Sequence, residues 1–418
     1  MLDRSIQPEI NTVEDINFLH PQHFTIKDEV KLHWIKEVDD DAVKVDFVFN
    51  AGSRQNLPAL ASFANNLILS GTPTLSSDQL SAQIDGLGGF FHAETSREGA
   101  TVSMYGLKKN IYALLQILIE AINHVDFPQK EIDQLINQKQ QSFKVSSEKV
   151  SFLARRMFTE KVFKDSSYGT LTEYDDYQKI KRDDIIAFHK EHYLNGLNKV
   201  CVVGNLDQEI IEDLIEKIRS WSAPSLQEYL EEVENEKGEF RIEKEGAVQT
   251  AIRIGRIMFN RKHQDFLEFS VMNTIFGGYF GSRLMSNIRE DKGYTYGIGS
   301  GLAEMKNLGY FFISTEVGKD VAEKALEEIK KEIHRLQTEP VSEEELGLVR
   351  NYTIGQILKS SDGAFAMMDR YLGVADFGLD YSYYKEKIDL VKSISPERVQ
   401  DMAKKYLNWD DMSVVMAG

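Results

Sequence analysis

Two stretches of the chain place apolar residues at every second position, the spacing of a half-buried strand. In the first half Val43, Val45, Phe47 and Phe49 do so, running into Asn50–Arg54. In the second half the stretch is Ala251 to Gly255, followed by Ile257 to Arg261. Each leads into a helical pattern, residues 58–69 and residues 263–276. These meet glycine at Gly71 and at Gly277 and Gly278, a stop signal for a helix. A second helix follows in each half, Ser77 to Leu87 and Ser282 to Asp291, and then glycine and a strand again.

The ends of the halves match too. An amphipathic helix, Asp183 to Tyr193, precedes the strand Lys199 to Gly204; Pro396 to Tyr406 precedes Ser413 to Gly418. The repeat period is half the chain, which predicts a duplicated domain and not a solenoid of short units. Between the copies, residues 223–238 are acidic and carry Pro224 and Gly238, the composition of an exposed linker. The expected organisation is residues 1–222, a linker 223–240, and residues 241–418. The expected fold class is α+β, two homologous domains, each a mainly antiparallel β-sheet layered with helices.

Composition narrows the partners. Lys+Arg number 49 and Asp+Glu 66 in 418 residues, a net charge of -17. Such a chain repels phosphate backbones, which argues against nucleic acid as the main partner and favours basic peptides. Cys201, the single cysteine, leaves no internal disulfide and no cysteine-built zinc site. No apolar run reaches the roughly 20 residues of a membrane span. Met1 to Thr12 is polar and shows no signal peptide, so cytoplasm is the default expectation.

The helix after Arg54 carries polar Ser62, Asn65 and Asn66 at i, i+3 and i+4 beside apolar Leu60, Phe63 and Leu67. On spacing alone this is a core helix with one polar side. In its context it means more. Ala51–Arg54, a helix ending Leu69–Thr72, then Gly86–Gly89 and a strand resemble the first domain of the pitrilysin/insulinase-type zinc metalloproteases, in the mitochondrial-processing-peptidase-like branch. The resemblance runs from Phe24 to Gly418 and implies a clamshell fold. Members carry His-x-x-Glu-His on this helix, two zinc ligands and a general base, and a glutamate ligand on a later helix. Laid on this chain, the ligand positions fall on Ser62, Asn66 and Ser142, and the base on Asn65. Hydroxyls and neutral amides are poor zinc ligands, and an amide cannot exchange a proton as a carboxylate does. The expectation is no metal and no cofactor in this chain.

Phe276 to Ile298 resembles the family's second-domain signature, in which an Arg and a Tyr seven residues apart face the zinc across the chamber and hold substrate. Arg289 and Tyr296 have that spacing. A guanidinium offers forked donors to a peptide carbonyl, and a phenol can donate to a developing oxyanion. Gly277, Gly278 and Gly281 match, in position only, the glycine-rich substrate loop of the non-catalytic mitochondrial subunit. The resemblance thus implies a non-catalytic subunit, inactive alone, that binds unfolded peptide. Its partner would be a zinc-bearing homologous subunit, or it would form a homodimer. The alternative is a peptide-binding or structural scaffold without protease function.

Other patterns are weaker. His189 and His192 sit near a helix end with no third ligand, and His92 and Glu94 share one strand face. Gly297 to Gly301 lacks the Lys-Ser/Thr of a phosphate loop.

Overall fold

The structure is a computed structural model that describes residues 16–36, 39–54, 58–221 and 231–418. Two mixed sheets carry it. The first contains β1 (Gln22–Lys27), β2 (Val30–Ile35), β3 (Ala42–Phe49), β4 (Phe90–Thr95), β5 (Ala100–Leu107) and β6 (Leu197–Val203), ordered β1-β2-β6-β3-β5-β4. The second contains β7 (Gly238–Ile242), β8 (Gln249–Met258), β9 (Thr295–Glu304), β10 (Gly309–Gly318) and β11 (Ser413–Ala417), ordered β7-β11-β8-β10-β9. With β1 set aside, the two orders are the same. Each sheet also has a single parallel pair at the same place, β2 with β6 and β7 with β11. The duplication read from the sequence is therefore a duplication of topology. β8 joins the first stretch to the start of the second as one continuous strand and ends at Met258, leaving Phe259 to Arg261 beyond it.

One interior strand of each sheet, β6 and β11, is apolar on both faces, and the period of two divides its side chains between two cores. On β6, Val200 and Val202 enter the large core of the first half, while Cys201 and Val203 point the other way. On β11, Val414 and Met416 enter the second core, while Val415 and Ala417 point away from it. Each outward set needs a cover, and each cover comes from the other half. Ala154, Phe158 and Val162, one stripe of the helix Val150–Val162, lie against Ala251, Val415 and Ala417 of the second sheet. Ala364 and Met368 of the helix Gly363–Ala375 lie against Ile35, Cys201 and Val203 of the first. Gly255 allows this contact in mid-strand, since a Cβ there would come within 2.9 Å of the Phe158 ring and 2.0 Å of the Phe311 carbonyl oxygen.

Of the expected linker, residues 223–230 lie outside the described residues. Residues 231–237 run between the halves with specific partners in both, Asn235 and Lys237 binding Asp411 of the second half. Glu231 accepts hydrogen bonds from the Ser167 amide and hydroxyl at 2.9 and 2.7 Å. Glu236 pairs with Lys161 at 3.2 Å.

Because Phe158 is a first-half residue in a second-half core, Phe158→Ala is expected to destabilise both halves together, by about 3–5 kcal/mol. Urea unfolding followed by fluorescence and by circular dichroism checks this; two separate transitions would show that the exchanged helices do not couple the halves.

Candidate functional site

The helix Pro58–Asn66 leaves β3 through Ala51–Arg54 and packs on β4, β5 and the helix Arg182–His189. Ala61, Phe63 and Ala64 are fully buried. Asn65 is buried as well, with 0% exposure. Its Oδ1 accepts from the Tyr193 hydroxyl at 2.9 Å, and its Nδ2 makes no hydrogen bond. Ser62 and Asn66 do share one face, as i, i+4 spacing requires. There, however, Asn66 Nδ2 donates to the Ser62 carbonyl at 2.6 Å and reaches the Ser62 hydroxyl at 3.3 Å. Asn66 thus turns an N–H, not a lone pair, toward its neighbour. Ser142, on the helix Gln129–Ser147, is exposed. The two helices are linked by rings instead: Phe143 meets Tyr177 at 6.3 Å, and Tyr177 meets Phe63 at 6.3 Å.

The second-half segment is built differently. Gly277 ends a buried turn against β9, where a Cβ would meet the Ser300 Oγ at 2.5 Å. Gly278 closes the same π-helical turn, Thr274–Gly278, and Gly281 follows beside the Tyr279 ring. Arg283 then forks onto Glu345, both contacts 2.8 Å, and fixes the start of a second π-helical turn, Met285–Asp291. Asn287 anchors its middle on Glu332 at 2.7 Å. Arg289 is left half-buried, its guanidinium 4.5 Å from the ring of Phe280, which is itself 64% exposed. A short turn later β9 begins at Thr295, with Tyr296 its second residue.

Tyr296 is 95% exposed and has no hydrogen-bond partner among the described residues. The cause is a β-bulge. β10 pairs Thr315 with Ile298 and Val317 with Thr295, so β9 carries an extra residue between these pairs. The Thr295 hydroxyl holds the bulge, bonding the Glu316 carbonyl at 2.7 Å and the Gly297 carbonyl at 2.9 Å. β9 is also an edge strand, as is β4 in the first half. On β4, Phe90, His92 and Glu94 face outward, with His92 Nε2 3.7 Å from Glu94.

The sequence of the chain matches two family profiles. One, described as Insulinase (Peptidase family M16), covers residues 34–176; the other, Peptidase M16 inactive domain, covers residues 179–352. This chain belongs to peptidase family M16. An M16 relative from Rickettsia bellii named "Uncharacterized zinc protease" is 25% identical over 372 residues, covering 87% of this chain and 86% of the relative. A Helicobacter pylori protein named "Non-peptidase homolog YmxG" is 21% identical over 372 residues, 86% of this chain and 84% of its own. The crystal structure of a peptidase M16 inactive domain from Pseudomonas fluorescens shares the fold, with a TM-score of 0.87, 22% identity and coverage of 96% of this chain and 98% of that one.

The family implies zinc, and the M16 helix here does not fit it. Its ligand positions offer a hydroxyl, a bonded amide and an exposed hydroxyl, where zinc takes imidazole, thiolate or carboxylate. Among the described residues no three His, Cys, Asp or Glu come together to hold a metal ion. Nor is any described helix long and apolar enough to cross a membrane. His189 and His192 serve the first core. His192 Nδ1 lies 3.0 Å from the Asn50 carbonyl, and His189 packs edge-on to Phe127. Burial pushes the His189 imidazole down to about 4. The residue that sequence reasoning missed is Phe280, whose exposed ring in a glycine-rich segment is the platform under Arg289.

Two outcomes follow from these contacts. Tyr193→Phe leaves Asn65 without a partner at either end and is expected to cost about 1–3 kcal/mol, read by denaturant unfolding. The lowered His189 pKa means that the unfolded chain binds a proton that the folded chain refuses between about pH 4 and 6.5. Stability is therefore complete above pH 6.5 and falls as the medium is acidified toward 4. His189→Gln, which does not titrate, is expected to flatten that slope in thermal melts at stepped pH.

Proposed function

We propose that this chain is an M16 pseudo-peptidase. It holds no catalytic zinc itself; it binds unfolded peptide and lends Arg289 and Tyr296 to the zinc centre of a separate homologous subunit. The observation that carries the reading is the contrast between the two signatures. On one helix the metal-ligand positions are hydrogen-bonded to each other and the base position is tied to Tyr193. On the other segment a fixed bulge projects an unpartnered tyrosine into solvent at 95% exposure, beside an arginine resting on an exposed ring.

The chemistry supports that division. A phenol with no internal partner is free to donate to an oxyanion, and a guanidinium that faces a ring keeps donors for a peptide carbonyl. Open edges at β4 and β9 suit a peptide added as a further strand. Gly277, Gly278 and Gly281 would line the path of that peptide, with Gly277 setting the close fit to β9. The name of the Helicobacter pylori relative, a non-peptidase homologue, agrees with a helper role; the Rickettsia relative's name, a zinc protease, describes the partner that the reading requires.

Reconstitution with a His-x-x-Glu-His homologue is the test. Peptide cleavage is expected only in the mixture, with stoichiometric zinc in the homologue and none in this chain. Arg289→Ala and Tyr296→Phe are each expected to lower kcat of the mixture about 100-fold or more, the usual loss for an oxyanion donor. Undiminished turnover in the double variant would remove the assigned role and leave a peptide-binding scaffold.

A further inference from the structure

A cavity of about 230 Å³ lies in the second half, where the ends of β8 and β9 meet three helices, Phe266–Asn273, Gly363–Ala375 and Ser382–Ser393. Arg261, Arg370 and Lys387 all line it, and Glu304 is its one lining carboxylate. That carboxylate is already committed. Arg261 Nε and Nη2 take both Glu304 oxygens, at 2.8 and 2.5 Å, and Arg261 Nη1 is bound to the Gly373 carbonyl. Arg370 donates to the Ser360 carbonyl at 3.0 Å and reaches the phenol of Tyr384, while the carboxylate that attracts it, Asp369 next in the chain, does not line the cavity. The Lys387 ammonium has no acceptor among the described residues, and the Tyr383 hydroxyl on the same wall donates to none.

Among the residues that line this partly buried space, three cations therefore share one carboxylate, an excess of two positive charges at the cavity wall, with Asp369 acting on Arg370 from outside it. An uncompensated charge of this kind either attracts an anion or loses its proton. Without an anion, burial first, then Arg261 and Arg370, press the Lys387 ammonium down to about 8, against the opposing pull of Glu304. A monoanionic carboxylate would cancel half of the excess; a dianion cancels all of it.

We propose that this cavity is a binding site for a phosphate-type dianion, either inorganic phosphate or the phosphate end of a small monoester, held by Lys387, Arg370 and the Tyr383 hydroxyl. Arg261, fixed by Glu304, adds its field from one side. The anion would also join the helix Gly363–Ala375 to the helix Ser382–Ser393, and the first of these is the one that covers the first sheet. Neither Arg289 nor Tyr296 lines the cavity, so the site is independent of the peptide-processing role.

Calorimetric titration of the full chain at pH 7 with inorganic phosphate, glycerol phosphate and acetate tests this. Phosphate or the ester is expected to bind and to raise the melting temperature, and acetate to do neither. Tighter binding of phosphate assigns the free ion; tighter binding of glycerol phosphate assigns an organic phosphate. Lys387→Met is expected to fold, having lost an uncompensated charge, and to bind about tenfold or more weakly. Affinity for the wild-type chain is expected to fall above pH 8, as the ammonium is lost, and the variant to lack that fall. In the wild type, saturating phosphate is expected to protect Lys387 from acetylation by acetic anhydride, read by mass spectrometry. No heat with either phosphate compound, equal affinity in Lys387→Met, or no protection would each overturn the site.

Discussion

The constraint on which the structure rests is that one interior strand of each sheet, β6 and β11, is apolar on two faces, while each half covers only one of them with its own helices. The second face is covered by exchange. Phe158 from the first half lies over Gly255 of the second, and Met368 from the second lies under Cys201 of the first. Neither sheet can be removed from the other without exposing a run of valine, isoleucine and alanine to water, at about 25 cal/mol for each Å². The duplicated halves are therefore one folding body.

Polar contacts repeat the same logic at the hairpin tips. In the first half Arg54, just past β3, bonds the Tyr168 hydroxyl, which donates to Glu98 in the β4–β5 turn. In the second half Arg261, just past β8, forks onto Glu304 at the end of β9. The tips then meet, the Lys306 amide reaching both Glu98 oxygens at 3.1 and 3.0 Å. An arginine after the second strand and a glutamate on the following hairpin form one device used twice, and the second copy left its arginine beside Arg370 and Lys387.

The copies have diverged in their chemistry within this shared frame. The first helix of the first half became a core element, with Asn65 drawn inward to Tyr193. The corresponding region of the second half kept tight glycine turns and a bulge that hold Arg289 and Tyr296 at the surface. In such a frame the two segments can change separately, because each is fixed by its own local contacts: Arg283 with Glu345 in one, Asn66 with Ser62 in the other.

Much of the fold was legible in the chain because period and punctuation are local. Val43, Val45, Phe47 and Phe49 alternate, and all four are buried; the two halves repeat the same order of strand, helix and glycine, and the topology repeats with them. The donor types at Ser62, Asn65, Asn66 and Ser142 are legible for the same reason, since donor chemistry is a property of residue type. What tertiary structure alone decided depends on residues far apart in the chain. Nothing local in Tyr296 announces its exposure, which comes from a bulge fixed across the strand pair by Thr295 and Glu316. Nor does any segment foretell that Arg261, Arg370 and Lys387 share one cavity, because the excess charge exists only once three separate elements have packed together.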